Sequence, residues 1–383
     1  MTAKFLQATI ACAALVAGCQ SPAPAQDNAV SASARPFAVT EVATFGSPWA
    51  IDFLPGSGVP LTNMALVSEK EGTLWLVDVA TGNRREVAGV PEAHVAGQGG
   101  LGDVVAHPGF ADNRRVYLSY VERGEGGTSG AALGYGRLDL GNAQQPVLRD
   151  YKVIWRQTPK VEGNGHFSHR IAFGPDGFLY LTSGDRQKLD PAQDMSGNLG
   201  KVLRLTDEGA PAPGNPWASR GGVAAEFWSI GHRNLLGIAF APDGRLWETE
   251  MGPKGGDEVN LVVAGKNYGW PRASNGSHYD GGDIPDHKAG DGFEAPKVWW
   301  SPSISPGGLM IYGGDKFAAW KGDALIPALS GEALIRVDID GDQAVKAEQW
   351  DMGARIRAVE QGPDGTVYLL EDGGRLLRLA PAR

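Results

Sequence analysis

A proline-led hairpin recurs along the 383-residue chain, and its spacing restricts the fold more than any other feature. It is clearest in "IAFGPDGFLYL" from Ile171, "IAFAPDGRLWE" from Ile238 and "AVEQGPDGTVYLL" from Ala358. In each, one apolar run enters a Pro-Asp-Gly turn and a second leaves it. Proline presets φ, aspartate bonds its local backbone and glycine takes the left-handed position, so the triplet reads as a hairpin turn. Weaker copies stand at "IDFLPGSG", "VAHPGF" and "SISPGGLMIY". The six prolines, 55, 108, 175, 242, 306 and 363, lie 53, 67, 67, 64 and 57 residues apart. A period of that size fits one four-stranded blade with its loops. The expectation is an all-β, six-bladed β-propeller; a sandwich leaves the even spacing unexplained.

The other local signals agree. Short alternating runs, Thr73 to Val79, Val116 to Val121, Phe178 to Thr182, Arg245 to Thr249, Ala333 to Asp338 and Thr366 to Leu370, predict strands, and no long helical period occurs. Residues 1–18 carry Lys4 and an apolar stretch ending in Leu15-Val16-Ala17-Gly18-Cys19, the pattern of a lipoprotein export signal, with Cys19 as the lipid-modified terminus. Cleavage after Ala25 is the alternative. Residues 19–35, rich in Ser, Pro and Ala, read as a flexible tether, and the propeller is expected over 36–383. An exported, periplasmic, outer-membrane-anchored protein follows, attached to the membrane through its lipid only. The two cysteines, Cys12 and Cys19, leave the mature chain no disulfide partner. Net charge is −9 with no basic cluster, which argues against a nucleic-acid partner.

Propellers gather function where loops of several blades converge, so polar residues at strand ends are the candidates. His166, inside "GNGHFSH", offers a neutral imidazole suited to take a hydroxyl proton, although a loop histidine is also ordinary polar surface. His107, His169 and His232 are assigned structural roles. Arg233-Asn234 offers donors and an acceptor to an oxygen-rich ligand. Arg355 and Arg357, two apart, face the same way on an extended segment and need either an anion between them or acids of their own, such as Asp351 or Glu360. Gly252-Pro253, near Glu250, Asp257 and Glu258, makes an oxygen-only environment for a hard cation. Zinc spacings, phosphate loops and nucleophile elbows are absent from the sequence.

The blocks "GQGGLGDVVAHPGFADNRRVYLSY", "GHFSHRIAFGPDGFLYLTSGDR", "GKVLRLTDEGAPAPGNPW", "GHRNLLGIAFAPDGRLWETEMGP" with "GGDEVNLVVAGKNYGWP", and "ARIRAVEQGPDGTVYLLEDGG" together resemble the soluble quinoprotein glucose dehydrogenases and the aldose sugar dehydrogenases. The resemblance runs from about residue 40 to the end. It implies a six-bladed propeller that uses pyrroloquinoline quinone (PQQ) and Ca²⁺ to oxidise an aldose at its anomeric carbon, with electrons passing to an unnamed respiratory acceptor. By the same resemblance His166 is the general base, and Gln98, Arg233 and Asn234 contact quinone or substrate oxygens. Arg355 and Arg357 hold cofactor carboxylates, and the carbonyls of Gly252 and Pro253 hold the active-site calcium. Glu258 and Tyr268 match a second calcium site. Two positions depart from the glucose enzymes: Ser330 stands where they have a lysine, and Gly165 where an acid adjoins the histidine. A weaker hold on the cofactor and a His166 without an orienting carboxylate are therefore expected. A calcium-dependent propeller lactonase and a non-catalytic carbohydrate-binding propeller are the alternatives.

Overall fold

The computed structural model describes residues 34–56, 61–141 and 145–382. The signal segment, Cys19 and most of the 19–35 tether lie outside the described residues. Six four-stranded antiparallel sheets follow in chain order, and their innermost strands contact one another in a closed ring. The innermost strands are Pro48–Phe53, Leu101–Ala106, Ser168–Phe173, Leu235–Phe240, Met310–Ile311 and Ile356–Gln361, opening blades one to six. The six-bladed propeller is thus observed. The last blade is completed by Phe37–Thr44, which pairs antiparallel with Arg375–Pro381 and so joins the two ends of the domain. The described helix is confined to Phe110–Asn113 and a few 3-10 turns, and among the described residues no helix is long and apolar enough to cross a membrane.

The apolar side chains explain why the sheets stand face to face. Six buried clusters lie between neighbouring blades, and alternate residues of one strand feed different clusters. Leu179 and Leu181 pack toward blade two, whereas Tyr180 between them packs toward blade four. Leu246 and Trp247 divide in the same way between blades three and five. Leu179–Ser183, Leu246–Glu250 and Val367–Glu371 are therefore buried along their whole length, because both faces of each sheet are covered.

The three Pro-Asp-Gly turns form as expected. Asp176, Asp243 and Asp364 each accept a bond from the backbone N–H two residues on, at 3.2, 3.0 and 3.0 Å, and Gly177, Gly244 and Gly365 adopt φ of 79°, 86° and 80°. Pro306 departs from the scheme. It precedes the innermost strand of blade five, bridging Ala328, and the connection to Ala324–Ala328 carries the 3-10 turn Ala318–Trp320 instead. A Gly-Gly after Pro306 imitates the turn in sequence, but the strand follows it directly.

Five innermost strands share one irregularity that positions the site. Their register slips at the entrance, between Pro48 and Ala50, Leu101 and Val104, Ser168 and Ile171, Leu235 and Gly237, and Ile356 and Ala358. A bulge re-aims the side chains beside it. Trp49, His169, Leu236 and Arg357 sit at these slips and all line one cavity.

Candidate active site

Two adjoining hollows occupy one face of the propeller, with Gln98, Met251 and Ser305 shared between them. The smaller, about 280 Å³, is lined by Gln98, Asn234, Arg355 and Arg357 together with Lys70 and the stacked rings of Trp49 and His169. The larger, about 850 Å³, is lined by Gln98, His166, Arg233, Gly252 and Pro253. Residues expected to act together are thereby brought together. Glu258 and Tyr268 lie behind them, lining a hollow of about 10 Å³ that also touches Arg233 and Gly252.

Hairpin symmetry explains which residues meet. The register that pairs Ser168 with Ser183 continues outward to set His166 opposite Asp185. His166 Nδ1 and Asp185 Oδ1 lie 2.7 Å apart. The pairing of Leu235 with Glu250 likewise sets Arg233 opposite Gly252, and Nη1 donates to the carbonyls of Met251 and Gly252 at 2.8 and 2.7 Å. The pairing of Ile356 with Glu371 sets Arg355 opposite Asp372. Each Pro-Asp-Gly hairpin, together with the slip near its open end, thus sets one pair of site residues opposite each other.

Asp185 corrects the expectation drawn from Gly165. His166 does have an orienting carboxylate, supplied across the hairpin rather than by its chain neighbour. Gly165 faces Gln187, whose amide would lie 2.6 Å from any Cβ there, so that space is already taken. Asp185 is fully buried; Oδ1 also accepts from Gln187 N at 2.8 Å, and Oδ2 from Trp270 Nε1 at 2.8 Å. With its Nδ1 hydrogen engaged by the carboxylate, His166 keeps its lone pair on Nε2. Burial pushes the imidazole pKa below its ordinary value; Asp185 opposes this, while Arg233 and Arg186 add to it. The ring is therefore neutral at neutral pH.

The loop that carries His166 is strained and clamped. His166, Ser168 and His169 hold φ of 49°, 59° and 60°, each at a cost of about 1–3 kcal/mol for a residue with a side chain. Gln98 Oε1 accepts from His166 N at 2.7 Å. Arg186 donates to the carbonyls of Gly163, Gly165 and Ser129 and stacks over Phe167 at 3.7 Å, gripping the loop from beneath.

Arg355 and Arg357 share a partner that the sequence reading did not nominate. Both donate to Asp372, Arg355 Nε at 3.0 Å and Arg357 Nη2 at 2.6 Å. Although burial would raise the Asp372 carboxyl, the two guanidinium groups hold it below its usual range. Asp351 instead caps a local turn through Gly353 N, and Glu360 faces an axial cavity with Asp52, Asp103 and Arg170, where burial lifts its carboxyl to about 8. One carboxylate against two cations leaves the pair a net positive charge toward the hollow. Lys70, missed in the sequence because its hairpin lacks the Pro-Asp-Gly turn, adds another cation; Ser330 lines the larger cavity and donates to Ser303 O at 3.1 Å.

The remaining assignments are structural. His232 lies fully buried against Tyr268, and Trp300 fills the interface between blades four and five. His169 stacks on Trp49 with ring centroids 5.2 Å apart, and its burial lowers its pKa to about 3.

Residues 45–378 match the family model described as Glucose / Sorbosone dehydrogenase. The chain belongs to this family. It is 39% identical over 343 residues to the aldose sugar dehydrogenase YliI of Escherichia coli (strain K12), covering 87% of this chain and 90% of that one. A solved glucose dehydrogenase superposes with a TM-score of 0.84 at 42% identity, over 90% of this chain and 100% of the other. The PQQ-bound aldose sugar dehydrogenase of Streptomyces coelicolor does so at 0.74 and 29%, over 92% and 99%. The protein is accordingly a sugar oxidoreductase of the glucose/sorbosone dehydrogenase type.

The residues present fit the two groups that this family resemblance implies. For a planar polyanion, the smaller hollow offers Lys70, Arg355, Arg357, two amides and stacked ring walls, and the buried Nε of Arg233 has no partner within the protein. For a hard cation, Gly252 approaches so closely that a Cβ would lie 2.2 Å from Gly256 O, leaving carbonyl oxygen as the chemistry of that turn. Asp257 secures it, accepting from the N–H groups of Gly252, Ile304 and Ser305 at 2.8, 2.7 and 2.7 Å. Behind it, Glu248, Glu250 and Glu258 crowd round Asn260, with Glu248 Oε2 and Asn260 Oδ1 left without partners. Burial and the neighbouring Glu250 push the Glu248 and Glu258 carboxyls well up, which is the signature of a site short of positive charge. The Tyr268 hydroxyl is spent on Leu261 O and Val263 N, at 2.6 and 2.9 Å.

Proposed function

We propose that the protein oxidises aldoses at the anomeric carbon to lactones with PQQ and Ca²⁺. The observation that carries the reading is a neutral, carboxylate-held His166 in a cavity joined to a cationic hollow. When bound, PQQ would supply the acceptor for the hydride of the sugar carbon, and Ca²⁺ would supply Lewis acidity. His166 Nε2 takes the proton of the anomeric hydroxyl, and Asp185 steadies the imidazolium that results. Arg233 donates toward negative charge developing above it, held in place by stacking 5.2 Å from Trp270. Gln98 and Asn234 would orient oxygens, Arg355, Arg357 and Lys70 would hold the cofactor's carboxylates, and the carbonyls of Gly252 and Pro253 would hold the cation. Glu258, with Glu250 and Glu248, would hold a second calcium, and Tyr268 walls that hollow.

The hollow's cations and amides weigh against the lactonase alternative, which expects acids around the central metal. The Asp185–His166 contact weighs against a mere scaffold. Purified apoprotein given PQQ and Ca²⁺ should reduce a dye when aldoses are added. Failure of both cofactor binding and sugar-dependent reduction would reject the reading. Export as a periplasmic lipoprotein anchored through Cys19, with a respiratory acceptor for the electrons, belongs to the same proposal. Labelling with a radioactive fatty acid should mark the wild type and not Cys19→Ser.

A further inference from the structure

A short two-stranded ribbon stands beside the larger cavity, and the turn that follows it carries an aromatic ring that the chemistry above leaves unused. Lys254 pairs with Ser277 and Gly255 with Gly276, and the turn after Ser277 is closed by His278 N to Gly282 O at 2.8 Å and Gly281 N to His278 O at 3.0 Å. On this turn Tyr279 is 72% exposed, well beyond the next large apolar side chain among the described residues, Val345 at 54%. Tyr279 nevertheless lines the cavity that holds His166, Gln187 and Arg233. Its hydroxyl lies 3.4 Å from Arg233 Nη2, and its ring centroid 5.9 Å from the same guanidinium.

An aromatic ring held at its hydroxyl edge, with its remaining surface open on the cavity that contains His166, is available to a ligand that enters there. Such a ligand must combine a flat apolar surface with a polar rim, because the hydroxyls of Ser277, Ser301 and Ser303 stand around the same cavity. A pyranose has this form: its C–H groups make one face apolar, and its hydroxyls project from the edge. We infer that Tyr279 is the stacking wall for the sugar ring, setting affinity for pyranoses while His166 performs the proton transfer. This inference rests on the aldose-oxidation reading above and names the side chain that holds the substrate. The hydroxyl lies at the weak 3.4 Å limit of a contact to Arg233, so the ring face rather than the hydroxyl carries the stacking.

The test compares Tyr279→Ala and Tyr279→Phe in protein loaded with PQQ and Ca²⁺, using D-glucose for kinetics. Saturation-transfer NMR with methyl β-D-glucopyranoside, which has no free anomeric hydroxyl to oxidise, supplies a readout apart from turnover. Tyr279→Ala should raise KM about tenfold, change kcat less than KM, and abolish saturation transfer to the pyranose C–H protons. Tyr279→Phe should stay within about twofold of wild type in both readouts, because the ring face remains. An unchanged PQQ titration checks that both variants keep the fold. A wild-type KM together with undiminished saturation transfer in Tyr279→Ala overturns the inference. So do equal losses in the Phe and Ala variants, which would place the effect in the hydroxyl rather than the ring. A wild type that oxidises no aldose would reject the parent reading instead, and the glycoside signal would still judge the wall.

Discussion

At the scale of single residues, the proposed chemistry turns on how a loop histidine stays neutral and aimed. His166→Ala should lower kcat by roughly 10²–10⁴-fold, the usual worth of a positioned base, while PQQ titration by absorbance stays near wild type. Because burial depresses the His166 pKa, the acid limb of kcat/KM should fall below pH 6.5, the ordinary value for histidine. Trp270→Phe keeps a ring beside Arg233 but removes the N–H that Asp185 Oδ2 accepts. The carboxylate then holds more of its charge against the imidazole, which favours imidazolium. The acid limb should therefore move to higher pH, with the largest activity loss at low pH; a uniform loss across pH would mean that Trp270 only fills space. Sequence motifs found His166, Arg233, Asn234 and Gln98, since each stands in a distinctive block. They could not find Trp270, which reaches Asp185 from 85 residues away. Counting outward from the Pro-Asp-Gly turn would set Arg186 opposite His166; the slip between Ser168 and Ile171 moves Asp185 there instead, so the sequence alone did not name it.

At the scale of elements, the decisive feature is the slipped register at the entrance of five of the six innermost strands. Alternation in sequence marks these strands but carries no sign of the slip, because a bulge depends on the partner strand as well. This is why Arg355 and Arg357 could be placed near one another while their shared acid was misjudged. The slip also brings backbone and ring into close approach: a Cβ on Gly102 would lie 1.9 Å from the His169 ring carbon. His169 cannot swing aside, since its Nδ1 meets Ser119 Oγ at 2.8 Å and its ring stacks on Trp49. Gly102→Ala should therefore cost about 1–3 kcal/mol through overpacking and lower the melting temperature, with PQQ affinity falling because Trp49 lines that hollow. A melting temperature equal to wild type would show that the bulge yields freely.

At the scale of the whole molecule, the site exists only if the ring closes. Repeat spacing announced six blades, but it could not announce that the first strand of the domain completes the last blade, because that pairing joins residues at opposite ends of the chain. Phe37–Thr44 supplies the outer strand of blade six, and Phe37 packs edge-on against Trp320 and Trp350 with centroids 6.1 and 5.4 Å away. The same blade presents Arg355, Arg357 and Asp372 to the cationic hollow. Loss of the closing strand should consequently act on cofactor affinity as well as stability, although none of its residues lines either hollow. Removal of residues 1–35 should leave melting temperature and PQQ titration close to those of the full chain, and removal of residues 1–44 should impair both. Phe37→Ala gives a graded version: about 3–5 kcal/mol is expected for an aromatic ring truncated in a packed core. If that variant loses stability but binds PQQ with wild-type affinity under conditions where it remains folded, blade six holds its arginines without the closure. If affinity falls in step with stability, the strap that seals the ring also sets the shape of the site.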